Sequence, residues 1–243
     1  MRQDPIGVFD SGVGGLCVLK KCAQRLPRER FIYLADTANM PYGGKSAAEI
    51  KLAACRCADV LFSMGCKALV IACNTATVCA IDDIRALYGG KVIIGLEPAI
   101  KPCYKELGRG YALALVTSAT ESSHKCARLL AACGGRIKAL GQPWLAKAVE
   151  DNIENISAIK PRVFEMLEPY GDAEAVVLGC SHYTYIADMI REFYCGNIKI
   201  YDGADGAAAR LEYCLALAKL CAETGERGSI RFYSTFSQDR HVK

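Results

Sequence analysis

The chain reads as an α/β protein built from two similar doubly wound lobes, related by internal duplication, with the active site between them. Three observations lead there. Apolar strand-like runs alternate with helical patterns along nearly the whole length. Two of those runs end at a cysteine followed by small polar residues: Leu69-Val70-Ile71-Ala72 before Cys73-Asn74-Thr75, and Val176-Val177-Leu178-Gly179 before Cys180-Ser181-His182. An offset of 107 residues lays Cys73 on Cys180, Ile6–Ser11 on Leu113–Ser118, and Val92–Ile94 on Lys199–Tyr201. An apolar run that stops at a thiol is a buried parallel strand presenting a side chain at its carboxyl end, where open α/β sheets place their sites. Two such ends in one register predict one site with two faces.

Taken in order, strands are expected at 6–10, 31–35, 69–72, 92–95, 112–116, 137–140, 176–179 and 198–201. Helices are expected near 16–26, 45–65, 76–88, 98–107, 122–133, 144–154, 157–169, 183–194 and 206–223. The first strand runs into Asp10-Ser11-Gly12-Val13-Gly14-Gly15, which opens a helix. Glycines there permit close backbone approach, and the amides of a helix start attract anions. The run is not G-x-G-x-x-G and no acidic residue is placed to read a ribose, so a carboxylate-binding turn with Asp10 as a polar handle is the better reading. A tight turn without a ligand is the plain alternative. Asp36-Thr37 followed by Pro41-Tyr42-Gly43-Gly44-Lys45-Ser46 is a loop at the same sheet edge, with Ser46 as helix N-cap and Lys45 solvated. Its amides and the Tyr42 region are placed to close over a small substrate. The repeat divides the sheet strands into two sets of four. The helix after Asp202 and the strand-like Ser229–Tyr233 fall outside it and are expected to return to the first lobe. The predicted lobes are therefore 1–96 plus 206–243, and 97–205.

Composition narrows the function classes. Hydrophobic residues make up 52% and charged residues 23%, as in a soluble globular protein. The net charge of +4, without a basic block or stripe, gives no argument for a nucleic-acid partner. Met1-Arg2-Gln3-Asp4-Pro5 is not a signal core, and no apolar stretch reaches the roughly 20 residues of a membrane span. A cytoplasmic protein without membrane contact is expected, and its 14 cysteines should be free thiols. There is no C-x-x-C, and His124, His182 and His241 supply a zinc site poorly, so no metal is expected. Cys55, Cys57, Cys66, Cys126, Cys133, Cys214 and Cys221 lie in Ala/Leu-rich helical stretches and read as small core hydrophobes. His124 reads as a helix residue near the surface, and Glu150, ending an amphipathic segment, as a solvated glutamate.

Cys73 and Cys180 stand apart by position. A helix N-terminus or a nearby imidazolium favours a thiolate. One cysteine with His182 nearby could be a nucleophile, as in thiol hydrolases. Two cysteines at matching points of two half-sites instead suggest an acid and a base on opposite sides of one carbon, as inversion of a stereocentre requires.

Val8-Phe9-Asp10-Ser11-Gly12-Val13-Gly14-Gly15-Leu16, Asp36-Thr37 with Pro41-Tyr42-Gly43, Ala72-Cys73-Asn74-Thr75-Ala76, Gly95-Leu96-Glu97-Pro98 and Gly179-Cys180-Ser181-His182-Tyr183 together resemble glutamate racemases, from about residue 5 to 235. The resemblance implies a cofactor-independent interconversion of L- and D-glutamate, an isomerase reaction that supplies D-glutamate for peptidoglycan. It implies that Cys73 takes the α-proton of D-glutamate, that Cys180 serves the L side, and that Asp10 and His182 assist them, with Glu150 as a further acidic helper. It places substrate contacts at Asp10, Ser11, Pro41, Tyr42, Gly43, Asn74, Thr75, Thr117, Thr120, Ser181 and His182. The chain departs from the family pattern at Ser181, where threonine is usual, at Ala119-Thr120 in place of glycine-threonine, and after Tyr183, where a proline is missing. The tail after Tyr233 is short. Aspartate or hydantoin racemisation, a Cys180-His182 hydrolase and a non-catalytic ligand-binding module are the alternatives; a homodimer is left open.

Overall fold

A computed structural model describes residues 2–223 and 227–235. Chain order is β1 (Ile6–Asp10), α1 (Leu16–Arg25), β2 (Phe31–Ala35), α2 (Ala47–Ser63), β3 (Ala68–Ile71), α3 (Asn74–Leu87), β4 (Val92–Gly95) and α4 (Ile100–Glu106). Then follow β5 (Ala112–Val116), α5 (Ser118–Glu121), α6 (His124–Ala131), β6 (Ile137–Gly141), α7 (Leu145–Asp151), α8 (Lys160–Leu167), β7 (Ala175–Gly179), α9 (Ala187–Phe193), β8 (Lys199–Asp202), α10 (Ala204–Leu217) and β9 (Ile230–Ser234).

The strands form two all-parallel sheets, ordered β4-β3-β1-β2-β9 and β6-β5-β7-β8. The four-strand pattern recurs: β1, β2, β3 and β4 hold the places in the first sheet that β5, β6, β7 and β8 hold in the second. This α/β architecture of two lobes is the predicted one, with β9 as a fifth strand paired to β2. Helices cover both faces of each sheet, which is why β1, β2, β3, β5 and β7 are buried at every position and read as unbroken apolar runs. Helix α10 returns to pack with α1 over one face of the first sheet.

Local chemistry sets several boundaries. Ser46 caps α2 and forms a capping box with Glu49. The predicted helix 122–133 is α6, capped by Ser123, and a further short helix that the pattern did not show, α5, precedes it, capped by Thr117. The pattern at 183–194 begins as a 3₁₀ segment, Ser181–Ile186, before α9. The tail beyond 235, including His241, lies outside the described residues.

Candidate active site

The carboxyl ends of β1, β3, β5 and β7 meet between the lobes. Cys73 stands just beyond β3, after Ala72, and caps α3, accepting the Ala76 amide at 3.4 Å. Cys180 directly follows β7. Both thiols are withdrawn from solvent, at 4% and 6% exposure. They are near enough that a charge placed on Cys180 would add to the proton affinity of Cys73.

Asp10, wholly buried at the end of β1, accepts the Gly12 amide at 2.9 Å on one oxygen and the Ser181 hydroxyl at 2.8 Å on the other, so it joins the two lobes. His182 lies beside it. Its Nδ1 is 4.0 Å from Cys180 Sγ and 3.5 Å from Ser181 Oγ, while Nε2 hydrogen-bonds Glu150 Oε2. Burial alone would push the imidazole down; the hydrogen bonds with Cys180 and Glu150 and the Asp10 charge outweigh it and hold His182 well above the ordinary histidine value. For Asp10, burial pushes the carboxyl up against the opposing pull of His182, the Gly12 amide and Ser181.

Three sequence readings change here. Glu150 is not a solvated surface glutamate: its side chain is 11% exposed, and its Oε2 contacts His182 and also accepts the Val13 amide at 3.4 Å. The position of Cys73 at a helix start does not make it an acidic thiol. Burial, followed by the Asp10 charge, pushes it above its ordinary value, and the Ala76 amide and Ser11 hydroxyl recover only part. The glycine loop holds the chain's own carboxylates, since its amides serve Asp10 and Glu150. A Cβ on Gly14 would lie 2.6 Å from both His182 Nδ1 and Ser181 Oγ.

The opposite wall is neutral. Thr75, Thr117 and Thr120 bring three buried hydroxyls together, with Oγ1 separations of 2.9, 3.0 and 3.5 Å, again from both lobes. Asn74 donates Nδ2 to Leu96 O at 3.1 Å, and its buried Oδ1 has no hydrogen-bond partner. Ser11 accepts the Cys73 thiol at 3.9 Å. A Cβ on Gly43 would lie 3.2 Å from the Thr117 side chain, whereas the Tyr42 ring is buried in the core and its hydroxyl donates to Asp36 Oδ2 at 2.5 Å. The loop's backbone, rather than the tyrosine ring, thus faces the site. His124 and Lys45 stand apart from this cluster; His124 is exposed.

Tyr33, which no sequence motif marks, donates its hydroxyl to Gly12 O at 2.7 Å and steadies the glycine loop. A tyrosine inside an otherwise apolar parallel strand was its signal, since a buried phenol needs a partner. Among the described residues no group of three or more His, Cys, Asp or Glu side chains is arranged to hold a metal ion, and no helix is long and apolar enough to cross a membrane.

Comparison with known proteins finds the same architecture. The glutamate racemase of Clostridium perfringens (strain SM101 / Type A) is 35% identical over 245 aligned residues, covering 99% of this chain and 94% of its own. Glutamate racemase isoform RacE1 of Bacillus anthracis superposes with a TM-score of 0.86 at 27% identity, over 98% of this chain and 90% of that one. The glutamate racemase of Francisella tularensis, solved in complex with D-glutamate, gives 0.81 at 28%, with the same coverage. With two parallel sheets meeting at a pair of buried thiols, and with residues 6–211 matching the family profile, the chain belongs to the Asp/Glu/hydantoin racemase family.

Proposed function

We propose that this chain interconverts L- and D-glutamate by moving the α-proton between Cys73 and Cys180, without a cofactor. The observation that carries the reading is the delivery of two sealed thiols to one space from matching strand ends. A single nucleophile would need neither the second thiol nor the repeat. In this reading the unpartnered Asn74 Oδ1 accepts from the substrate ammonium, and the Thr75-Thr117-Thr120 hydroxyls turn toward a carboxylate. Ser11, Ser181 and the backbone at Pro41, Tyr42 and Gly43 complete the enclosure. The glutamate racemases similar to this chain support glutamate as substrate.

The steps follow from the charges. Cys73, held as a thiol at rest, passes its proton to the buried Asp10 carboxylate, whose raised proton affinity suits it to receive one. The thiolate then takes the α-proton of D-glutamate. Cys180, oriented by the His182 imidazolium that Glu150 holds, returns a proton to the other face. The carbanion is sustained by hydrogen bonds in a dry enclosure. Among the described residues the lobes are then 2–96 with 206–223 and 227–235, and 97–205, and the supply of D-glutamate for bacterial peptidoglycan is a cytoplasmic task.

The test follows chirality and deuterium uptake at Cα after dialysis against chelator, with glutamate and aspartate offered separately. Glutamate should invert from either enantiomer and aspartate far more slowly. Cys73→Ser and Cys180→Ser should each lower inversion by about 10³-fold or more, within the range of general acid–base contributions. Inversion by Cys73→Ser at the wild-type rate would rule out the two-thiol assignment.

A further inference from the structure

Asp36 has no part in the proton-transfer steps, yet it is 1% exposed and unusually well supplied with donors. Its carboxylate accepts the Tyr42 hydroxyl at 2.5 Å, the Thr235 hydroxyl at 2.6 Å and the Asn39 amide at 3.0 and 3.1 Å. Tyr42 opens the turn whose next residue, Gly43, approaches Thr117 of the other lobe so closely that an added Cβ would stand 3.2 Å from its side chain. Thr235 follows the end of β9, a strand exposed at all five positions that buries little apolar surface. What the end of that strand does supply is hydrogen bonding to the 36–38 turn. Thr37 donates to Thr235 O at 2.8 Å and pairs with the Ser234 hydroxyl at 2.6 Å; Ala38 N donates to Thr235 Oγ1 at 3.2 Å.

From this arrangement we infer that Asp36 is a positioning residue: it clamps the 41–43 loop shut over the substrate hydroxyl wall and draws the C-terminal strand β9, through Thr235, into the support of the site. The inference rests on the glutamate reading above. Its consequence is particular. A loop that spends less time closed weakens apparent substrate binding by the fraction closed, while a substrate-bound enzyme turns over as before. Loss of folded protein would do the reverse, lowering apparent kcat at constant KM.

The test compares wild type with Asp36→Asn, Tyr42→Phe and Thr235→Val, by steady-state racemisation of glutamate and by amide hydrogen exchange of the 38–45 backbone without ligand. Thr235→Val and Tyr42→Phe should each raise KM about three- to tenfold, as expected for losing one hydrogen bond to a buried carboxylate, with kcat within about twofold. Exchange at 38–45 should quicken in both. In an Asp36→Asn background Thr235→Val should add almost nothing, because both act through one carboxylate. If Asp36→Asn does not fold, the two single hydroxyl deletions still decide. Unchanged KM and unchanged exchange in Thr235→Val would overturn the inference, and so would a fall in kcat at constant KM. A wild-type chain that leaves glutamate untouched would overturn the reading of the site, and hydrogen exchange would still report whether strand and loop are coupled.

Discussion

At the scale of single residues, the two thiols sit in unlike surroundings despite their matching positions. Cys73 has a helix start behind it and a carboxylate beside it; Cys180 has an imidazole 4.0 Å away. Burial and the Asp10 charge raise Cys73 above the ordinary thiol value of 9.0, so at neutral pH it rests protonated and its thiolate fraction grows as the pH rises. His182, raised above 6.5, stays protonated through the range where free histidine titrates. Because the Cys73 proton passes internally to Asp10 and His182 is already charged, early α-proton exchange from D-glutamate should show no inflection near the ordinary histidine value. Initial rates of deuterium wash-in across that range would test it; an inflection near pH 6.5 would contradict the raised His182.

At the scale of elements, the loop between β1 and α1 does its work by what it lacks. It brings backbone within hydrogen-bond reach of Asp10 and Glu150, and its glycines leave room for the His182 ring. A methyl at Gly14 would meet two side chains that are themselves buried and hydrogen-bonded, so neither can move aside freely. Gly14→Ala should lower turnover on the order of 10²-fold by displacing His182 and Ser181, and lower stability by about 1–3 kcal/mol. Gly89→Ala, where an added methyl meets nothing within 4 Å, serves as the control and should remain within about 0.5 kcal/mol of wild type. Kinetics and urea unfolding measured side by side separate the two effects.

At the scale of the whole molecule, the duplication has diverged in a chemically useful way. The 107-residue offset lays Asp10 on Thr117, Asn74 on Ser181 and Thr75 on His182. Each pair of strand ends that meets across the lobes thus has a counterpart, one charged (Asp10 with Ser181 and His182) and one built of neutral hydroxyls (Thr117 with Thr75). The segments at Arg2 and at Leu220–Ala222 are tied in by a buried ion pair. Lys67 Nζ donates to Glu29 at 2.6 Å and to the carbonyls of Arg2 and Leu220, while the Ala222 amide donates to the other Glu29 oxygen. Both side chains are almost wholly buried, at 2% and 3% exposure, so removing one strands the other. Lys67→Met should cost about 3–5 kcal/mol, and Lys67→Met combined with Glu29→Leu should recover a large part, as read from urea midpoints.

The strands, their order of appearance, the repeat and the placing of Cys73 and Cys180 at strand ends are all legible in the amino-acid order. Parallel strands buried on both faces are written as contiguous apolar runs, and a run's end is visible without knowledge of its neighbours. Which groups pair is set by folding. Glu150 occupies a polar place on an amphipathic pattern, which looks alike whether it faces water or His182, 32 residues away. Asp36 and Thr235 are separated by 199 residues, a pairing to which no local period refers. The proton affinity of Cys73 depended on the competition between a helix start, legible from the sequence, and burial among neighbours brought together by folding. Periodicity records whether a residue is covered; which charge or donor covers it follows from how the lobes close, and that choice sets the chemistry.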